Sequence, residues 1–236
     1  MAVEYSIETH KGFVRANNED FASIECVYPE SGIDGGFLIA ALADGVGGMH
    51  DGEVASEEAV KFFMHFEKDA VESGNFLPDV LSSIRKGMLK ANELVLNINK
   101  GRKHSQYMAT TLSSFIMYSG QIVLSNSGDS EIIVFDGELR TLSQIHREPV
   151  SGYLTSCIGV DKAPDIFTRN LALQNGNIIL MCSDGLTDML NYAEISAILN
   201  QPSKTSGELM VELRDHALAN GGRDNITVII CKIKKK

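Results

Sequence analysis

Four apolar runs in this chain are bounded by aspartate. FLIAALA runs into Asp44 and IILMCS into Asp184, while FASIECV follows directly on Asp20 and NITVIIC on Asp224. Short runs of this kind, rich in β-branched residues and flanked by glycine and polar residues, read as strands. In antiparallel neighbours one strand starts beside the place where the next ends, so two strands that finish on an acid and two that begin on one can bring all four acids to one sheet edge. A fold that pairs these strands antiparallel would then have to tolerate concentrated negative charge where they meet.

The remaining pattern fits that frame. Tyr5–Thr9, Phe21–Tyr28 and Phe37–Ala43 read as strands, followed by two helices over about Glu53–Glu72 and Leu77–Asn99. The first carries Ala55, Ala59, Phe62, Phe63 and Phe66 on one side. The second carries Leu77, Leu81, Ile84, Met88, Ala91, Val95 and Ile98 as one stripe, with Pro78 in its first turn. Strands over Thr111–Tyr118, Gln121–Asn126, Glu131–Phe135 and Glu138–Leu142 are separated by the turn pairs Ser119-Gly120 and Asp136-Gly137. Extended segments at Ile166–Leu171 and Asn177–Cys182, helices near Tyr192–Leu199 and Ser206–Asn220, and a strand at Ile226–Ile233 complete the chain. Grouped strands with paired helices predict a layered α+β sandwich, in one domain over residues 1–236.

Composition excludes some functions. The net charge of −10 argues against a general nucleic-acid binder, which needs a basic face. No apolar run approaches the roughly 20 residues of a membrane span, and MAVEYSIETH lacks the basic and apolar regions of a secretory signal. Cys26, Cys157, Cys182 and Cys231 are scattered without a C-x-x-C pair, mostly beside apolar runs, which predicts reduced, buried thiols and a cytoplasmic protein. The Lys232–Lys236 tail reads as a frayed, solvated end.

Gathered carboxylates repel one another and cannot all stay ionised without a cation. An all-oxygen set with no Cys or His suits Mg²⁺ or Mn²⁺ better than Zn²⁺. Any single aspartate here reads better as a turn former or a helix cap; it is the set of four that points to metal, and the set alone does not choose a reaction.

The local sequences do. Gly12-Phe13-Val14-Arg15-Ala16-Asn17-Asn18-Glu19-Asp20 resembles the G-x-x-R-x-x-N-E-D opening of the metal-dependent protein phosphatases, type 2C. Asp44-Gly45-Val46-Gly47-Gly48 with Gly52-Glu53-Val54-Ala55-Ser56 is similar to that family's D-G-M-G-G…G-E-x-A-S, and Met108-Ala109-Thr110-Thr111-Leu112 to M-G-T-T-L. Ser127-Gly128-Asp129-Ser130, Leu154-Thr155…Ile158-Gly159, Ser183-Asp184-Gly185-Leu186-Thr187-Asp188 and Asp224-Asn225-Ile226-Thr227 resemble V-G-D-S, L-T-x-x-x-G, S-D-G-L-T-D and D-N-I-T. The matches follow family order from Gly12 to Thr227.

This resemblance implies a four-layer αββα sandwich, two antiparallel sheets flanked by helices, with a binuclear metal centre that activates water to hydrolyse phosphoserine and phosphothreonine in proteins. By position, Asp44 would bridge two Mn²⁺ or Mg²⁺ ions. Asp184 and Asp224 would complete one ion's shell and the Gly45 carbonyl would serve the other. Asp20 and Glu19 would bind directly or through water, and Asp129 would share a third, weaker ion with Asp184. Arg15 is the expected phosphate clamp, since a guanidinium fork holds two phosphate oxygens. Asn225 either orients Asp224 or caps the strand start. The expected partners are phosphoproteins, those of a serine/threonine kinase, and a monomer is the expected state.

The chain also departs from the pattern. Ala109 replaces a glycine, Glu131 an arginine and Ile145-His146 an Asp-His pair; Met49, with His50 next, stands where bacterial members often carry histidine, which leaves the general acid unassigned. Bacterial relatives insert a helical flap after this pair, whereas Arg147–Tyr153 is too short for an ordinary helix, so the flap is expected to be reduced to a turn. Two other readings compete: a binding module that has lost chemistry, disfavoured by retention of Asp20, Asp44, Asp184 and Asp224, and a hydrolase of small phosphate esters, for which no P-loop supports nucleotide use.

Overall fold

A computed structural model describes residues 2–30, 35–74 and 79–234. Strands β1 (Ala2–His10), β2 (Asp20–Val27) and β3 (Phe37–Asp44) precede helices α1 (Gly52–Glu72) and α2 (Val80–Ile98). After a turn of 3₁₀ helix at His104–Gln106 come β4 (Leu112–Tyr118), β5 (Gln121–Ser127), β6 (Glu131–Phe135), β7 (Leu139–Thr141), β8 (Phe167–Ala172) and β9 (Ile178–Cys182). Short helices α3 (Asp184–Thr187) and α4 (Tyr192–Leu199), then α5 (Ser206–Ala219), lead to β10 (Ile226–Lys234).

The strands form two antiparallel sheets, ordered β1-β10-β9-β6-β7 and β2-β3-β4-β5-β8. Strand β3 explains why they stack. Successive side chains of a strand point to opposite faces, and in FLIAALA both faces are apolar. Ile39, Ala41 and Ala43 pack with Ala59 and Phe63 of α1 and Ile84 and Met88 of α2, whereas Leu38, Ala40 and Leu42 pack with Ile179 and Met181 of β9 and Ile229 of β10. On the far side, Leu180, Val228 and Ile230 meet Ile195 of α4 and Leu209 and Leu213 of α5. Three apolar layers thus separate four layers of structure, the αββα sandwich expected.

Local chemistry sets the joints. The β4–β5 turn places Ser119 and Gly120 at φ 45° and 79°, the left-handed pair of a type I′ hairpin. Capping boxes start α4 (Asn191 with Glu194) and α5 (Thr205 with Glu208). The Asp79 side chain caps α2 by accepting from the Ser82 N–H; Leu77 and Pro78, expected in that first turn, lie outside the described residues. Three expectations need correction. The strand expected over Glu138–Leu142 is only Leu139–Thr141. Cys182 and Cys231 are buried, but Cys26 is exposed, on the edge strand β2. The basic tail is ordered strand through Lys234, with Lys232 donating to the Pro202 and Lys204 carbonyls and Lys234 paired with Glu4; Lys235 and Lys236 lie outside the described residues.

Candidate active site

The pairing register delivers the acids. Strands β2 and β3 set Asp20 directly opposite Asp44. In the other sheet Cys182 pairs with Val228, so Asp184, just past the end of β9, and Asp224, just before β10, lie at one end. Asp129 sits on the link from β5 to β6, where the chain crosses between sheets. Asp44, Asp129, Asp184 and Asp224, with Arg15, Glu19, Gly45 and Asn225, line one cleft of about 240 Å³. Asp20 is not on its wall but buried behind it.

Electrostatics marks Asp44 as the centre. Burial raises its carboxyl well above the ordinary range, and repulsion from Asp20, Asp184, Asp129 and Asp224 raises it further. Burial, then repulsion from Asp129, Asp188 and Asp224, pushes Asp184 up to about 7. Asp20 is also raised, mainly by burial, although the Thr227 and Ser183 hydroxyls donate to its Oδ2 at 2.6 and 2.8 Å. Its buried Oδ1 receives no hydrogen bond. A bare buried carboxylate oxygen beside mutually repelling acids, in an all-oxygen donor set, fits a hard divalent cation. Among the described residues no three His, Cys, Asp or Glu side chains are already arranged to hold an ion. The acids are instead drawn to the protein's own cations: Arg15 donates to Asp224 Oδ2 at 2.5 Å, and Arg147 to Asp184 Oδ2 at 3.3 Å.

Hydrogen bonds fix the backbone beneath these side chains. Thr111 accepts the Asp44 N–H on Oγ1 (2.9 Å) and donates its own N–H to the Asp44 carbonyl (2.8 Å), which also accepts from Thr110 Oγ1 (2.8 Å). Asn225 ties the loop bearing Arg15 to the start of β10. Its Oδ1 accepts the Glu19 N–H at 2.8 Å, and Nδ2 donates to the carbonyls of Lys11 and Asn17 at 2.8 and 2.9 Å. Its own N–H donates to Asp224 Oδ1 at 2.8 Å. Gly185 is required because a Cβ there would collide with the Asn225 carbonyl.

The sequence profile of Protein phosphatase 2C matches residues 26–216, most of the chain. The chain belongs to the protein phosphatase 2C family. It is 28% identical to the serine/threonine phosphatase stp of Listeria innocua, over 94% of this chain and 92% of that one. The solved serine/threonine phosphatase of S. agalactiae superposes with a TM-score of 0.82 at 28% identity, covering 99% of this chain and 100% of that one. The catalytic domain of the serine/threonine protein phosphatase PstP, solved with two manganese ions, gives 0.77 at 26% identity, with 99% of each chain covered. The relatives of this 2C-type chain are thus serine/threonine phosphatases, metal-dependent hydrolases.

Against that family frame, some residues gain roles that motif reading left open. The Asn225 N–H holds the Asp224 carboxylate, while its side chain does something not expected of it and anchors the loop before β2. His50 is exposed and does not line the cleft, so it leaves the general acid unassigned. Residues 147–153 form a closed turn: Arg147 bridges Leu154, the Glu148 N–H donates to the Tyr153 carbonyl at 2.9 Å, and the Gly152 N–H donates to the Glu148 carbonyl at 2.9 Å. Two charged residues of the cleft received no role in the sequence reading, Arg147 and Asp188. Asp129, expected to share a third ion with Asp184, lies 3.6 Å from Arg147 Nη1.

Proposed function

We propose that this chain removes phosphate from phosphoserine and phosphothreonine in proteins, with two Mn²⁺ or Mg²⁺ ions held by Asp44, Asp184, Asp224 and the Gly45 carbonyl, and with Asp20 and Glu19 directly or through water. The observation that carries the reading is the gathering of Asp20, Asp129, Asp184 and Asp224 about a buried Asp44, whose carboxyl is raised well above the usual range first by burial and then by their repulsion. The two manganese ions of the PstP catalytic domain support the same number here. When bound, such ions supply an activated water and offset charge on the transferring phosphoryl group.

The chain's own residues supply position. Arg15 stands at the cleft, 44% exposed, with one guanidinium edge on Asp224; the fork matches two phosphate oxygens of a phosphomonoester. Asp224 holds the guanidinium in place, and Asn225 holds Asp224. Thr110 and Thr111 keep Asp44 at its position by bonding its backbone on both sides. Among the described residues no helix is long and apolar enough to cross a membrane; a cytoplasmic monomer acting on the substrates of a serine/threonine kinase is part of this proposal. Assays of phosphopeptides against nucleotides, each with and without Mn²⁺, test it. Metal-dependent turnover of phosphopeptides is expected; equal or faster turnover of nucleotides would move the reading to a small-ester hydrolase, and none on either to a binding module.

A further inference from the structure

One corner of the cleft is closed by a cation that the chain itself provides. Arg147 Nη1 lies 3.3 Å from Asp184 Oδ2, 3.5 Å from Asp188 Oδ1 and 3.6 Å from Asp129 Oδ2. Its Nε donates to the Gly152 carbonyl at 3.1 Å, so the 147–153 turn holds the guanidinium from behind. A second fastening lies next door. The Gly128 N–H donates to His146 Nδ1 at 3.1 Å, and the His146 N–H donates to the Gly128 carbonyl at 3.0 Å. Asp129 and Arg147 therefore hang from two loops clasped together one residue before each.

Three carboxylates around one guanidinium nitrogen repel one another unless a positive charge stands between them. A divalent ion and a guanidinium answer that need in the same space, and the two repel each other. We propose that Arg147 is a positioning residue, the standing counter-cation of Asp129, Asp184 and Asp188, which orients the Asp184 carboxylate and keeps a further divalent ion out of this corner. The inference rests on the metal-dependent reading above, because it presupposes ions at Asp44, Asp184 and Asp224.

Equilibrium dialysis against Mn²⁺, with bound metal measured by atomic emission, tests this without reference to turnover. Wild type and Arg147→Lys are expected to hold two ions per chain, and Arg147→Ala at least one more under the same conditions. Three ions on the wild type, or two on a folded Arg147→Ala, would overturn the proposal. If Arg147→Ala does not fold, Asp129→Asn decides: with Arg147 in place and Asp129 no metal ligand, the count should remain two, and loss of an ion would refute the assignment. A wild type that holds no Mn²⁺ overturns the metal-dependent reading itself, an outcome distinct from any miscount of the ions.

Discussion

At the scale of single residues the site divides into groups that hold charge and groups that hold position. Asp44 and Asp184 belong to the first, and Asp44→Asn or Asp184→Asn should lower kcat by on the order of 10² or more. Calorimetry finding normal Mn²⁺ affinity together with normal turnover in Asp184→Asn would refute its assignment as a ligand. Arg15→Ala should retain Mn²⁺ and mainly raise KM, provided the phosphate contact is equal in ground and transition states; loss of metal binding would make Arg15 a structural partner of Asp224 instead. The four strand-end aspartates were legible in the sequence because each is tied to the end of an apolar run, but the single sheet edge expected for them was not what forms: β2 and β3 lie in one sheet and β9 and β10 in the other. Arg147 was not legible, since a lone basic residue in a loop carries no periodicity. The available signal was chemical: it is the basic residue of the short segment bordering a cluster of acids. Asn225 was half legible, because its bond to Glu19 spans 206 residues and no local pattern announces such a contact.

At the scale of elements, the α1–α2 pair and the 147–153 turn each carry a test. Glu67 of α1 is fully buried against α2, where Ser83 Oγ donates to its Oε2 at 3.0 Å while Oε1 has no partner. Gly87 makes room for it, since a Cβ there would strike Glu67 Oε1 and lie 3.2 Å from the Phe63 ring. Gly87→Ala should therefore destabilise the fold, although alanine is better than glycine by about 1 kcal/mol in a helix interior; a raised Tm would contradict this packing. Burial pushes the Glu67 carboxyl up to about 7 from 4.5. A carboxyl raised on folding stabilises while protonated, so its contribution is lost as pH climbs from the ordinary range through about 7. Glu67→Gln should flatten that loss and gain at most about 3 kcal/mol over wild type at pH 8, measured by urea unfolding at pH 5 and pH 8. These helices were readable as stripes, whereas an acid on the packed face was not, because its cost is met by a glycine on the other helix. The closed 147–153 turn leaves little chain to contact residues flanking a phosphate. Phosphopeptides with varied flanks should then differ in kcat/KM by no more than about tenfold, with selectivity arising outside the cleft or from tethering. A wider spread set by flanks alone would mean that another element performs the work of a flap.

At the scale of the molecule, the sandwich brings its buried acids together at one end, and folding must keep them there. Asp44 and Asp20 are held above the ordinary carboxylate range and Asp184 at about 7, each chiefly by burial. The folded form thus binds protons more tightly than the unfolded chain does. Stability from these groups is present below the unfolded carboxylate range and declines as pH rises through the folded values. Divalent ions work in the opposite sense, because they bind the ionised acids and bind them only when the sheets gather the acids together. In chelator, then, Tm should fall between pH 5 and pH 8. At pH 8 excess Mn²⁺ should restore it, each independent ion contributing about 2.7 kcal/mol when present at 100 times its Kd. For a domain of this size each kcal/mol is worth about 2–4 °C, so two ions should move the transition by roughly 10–20 °C. The gain should shrink at pH 5, where protons compete for the same oxygens. A Tm that does not respond to Mn²⁺ at pH 8, or responds equally at pH 5, would show that the gathered acids are not where the metal binds.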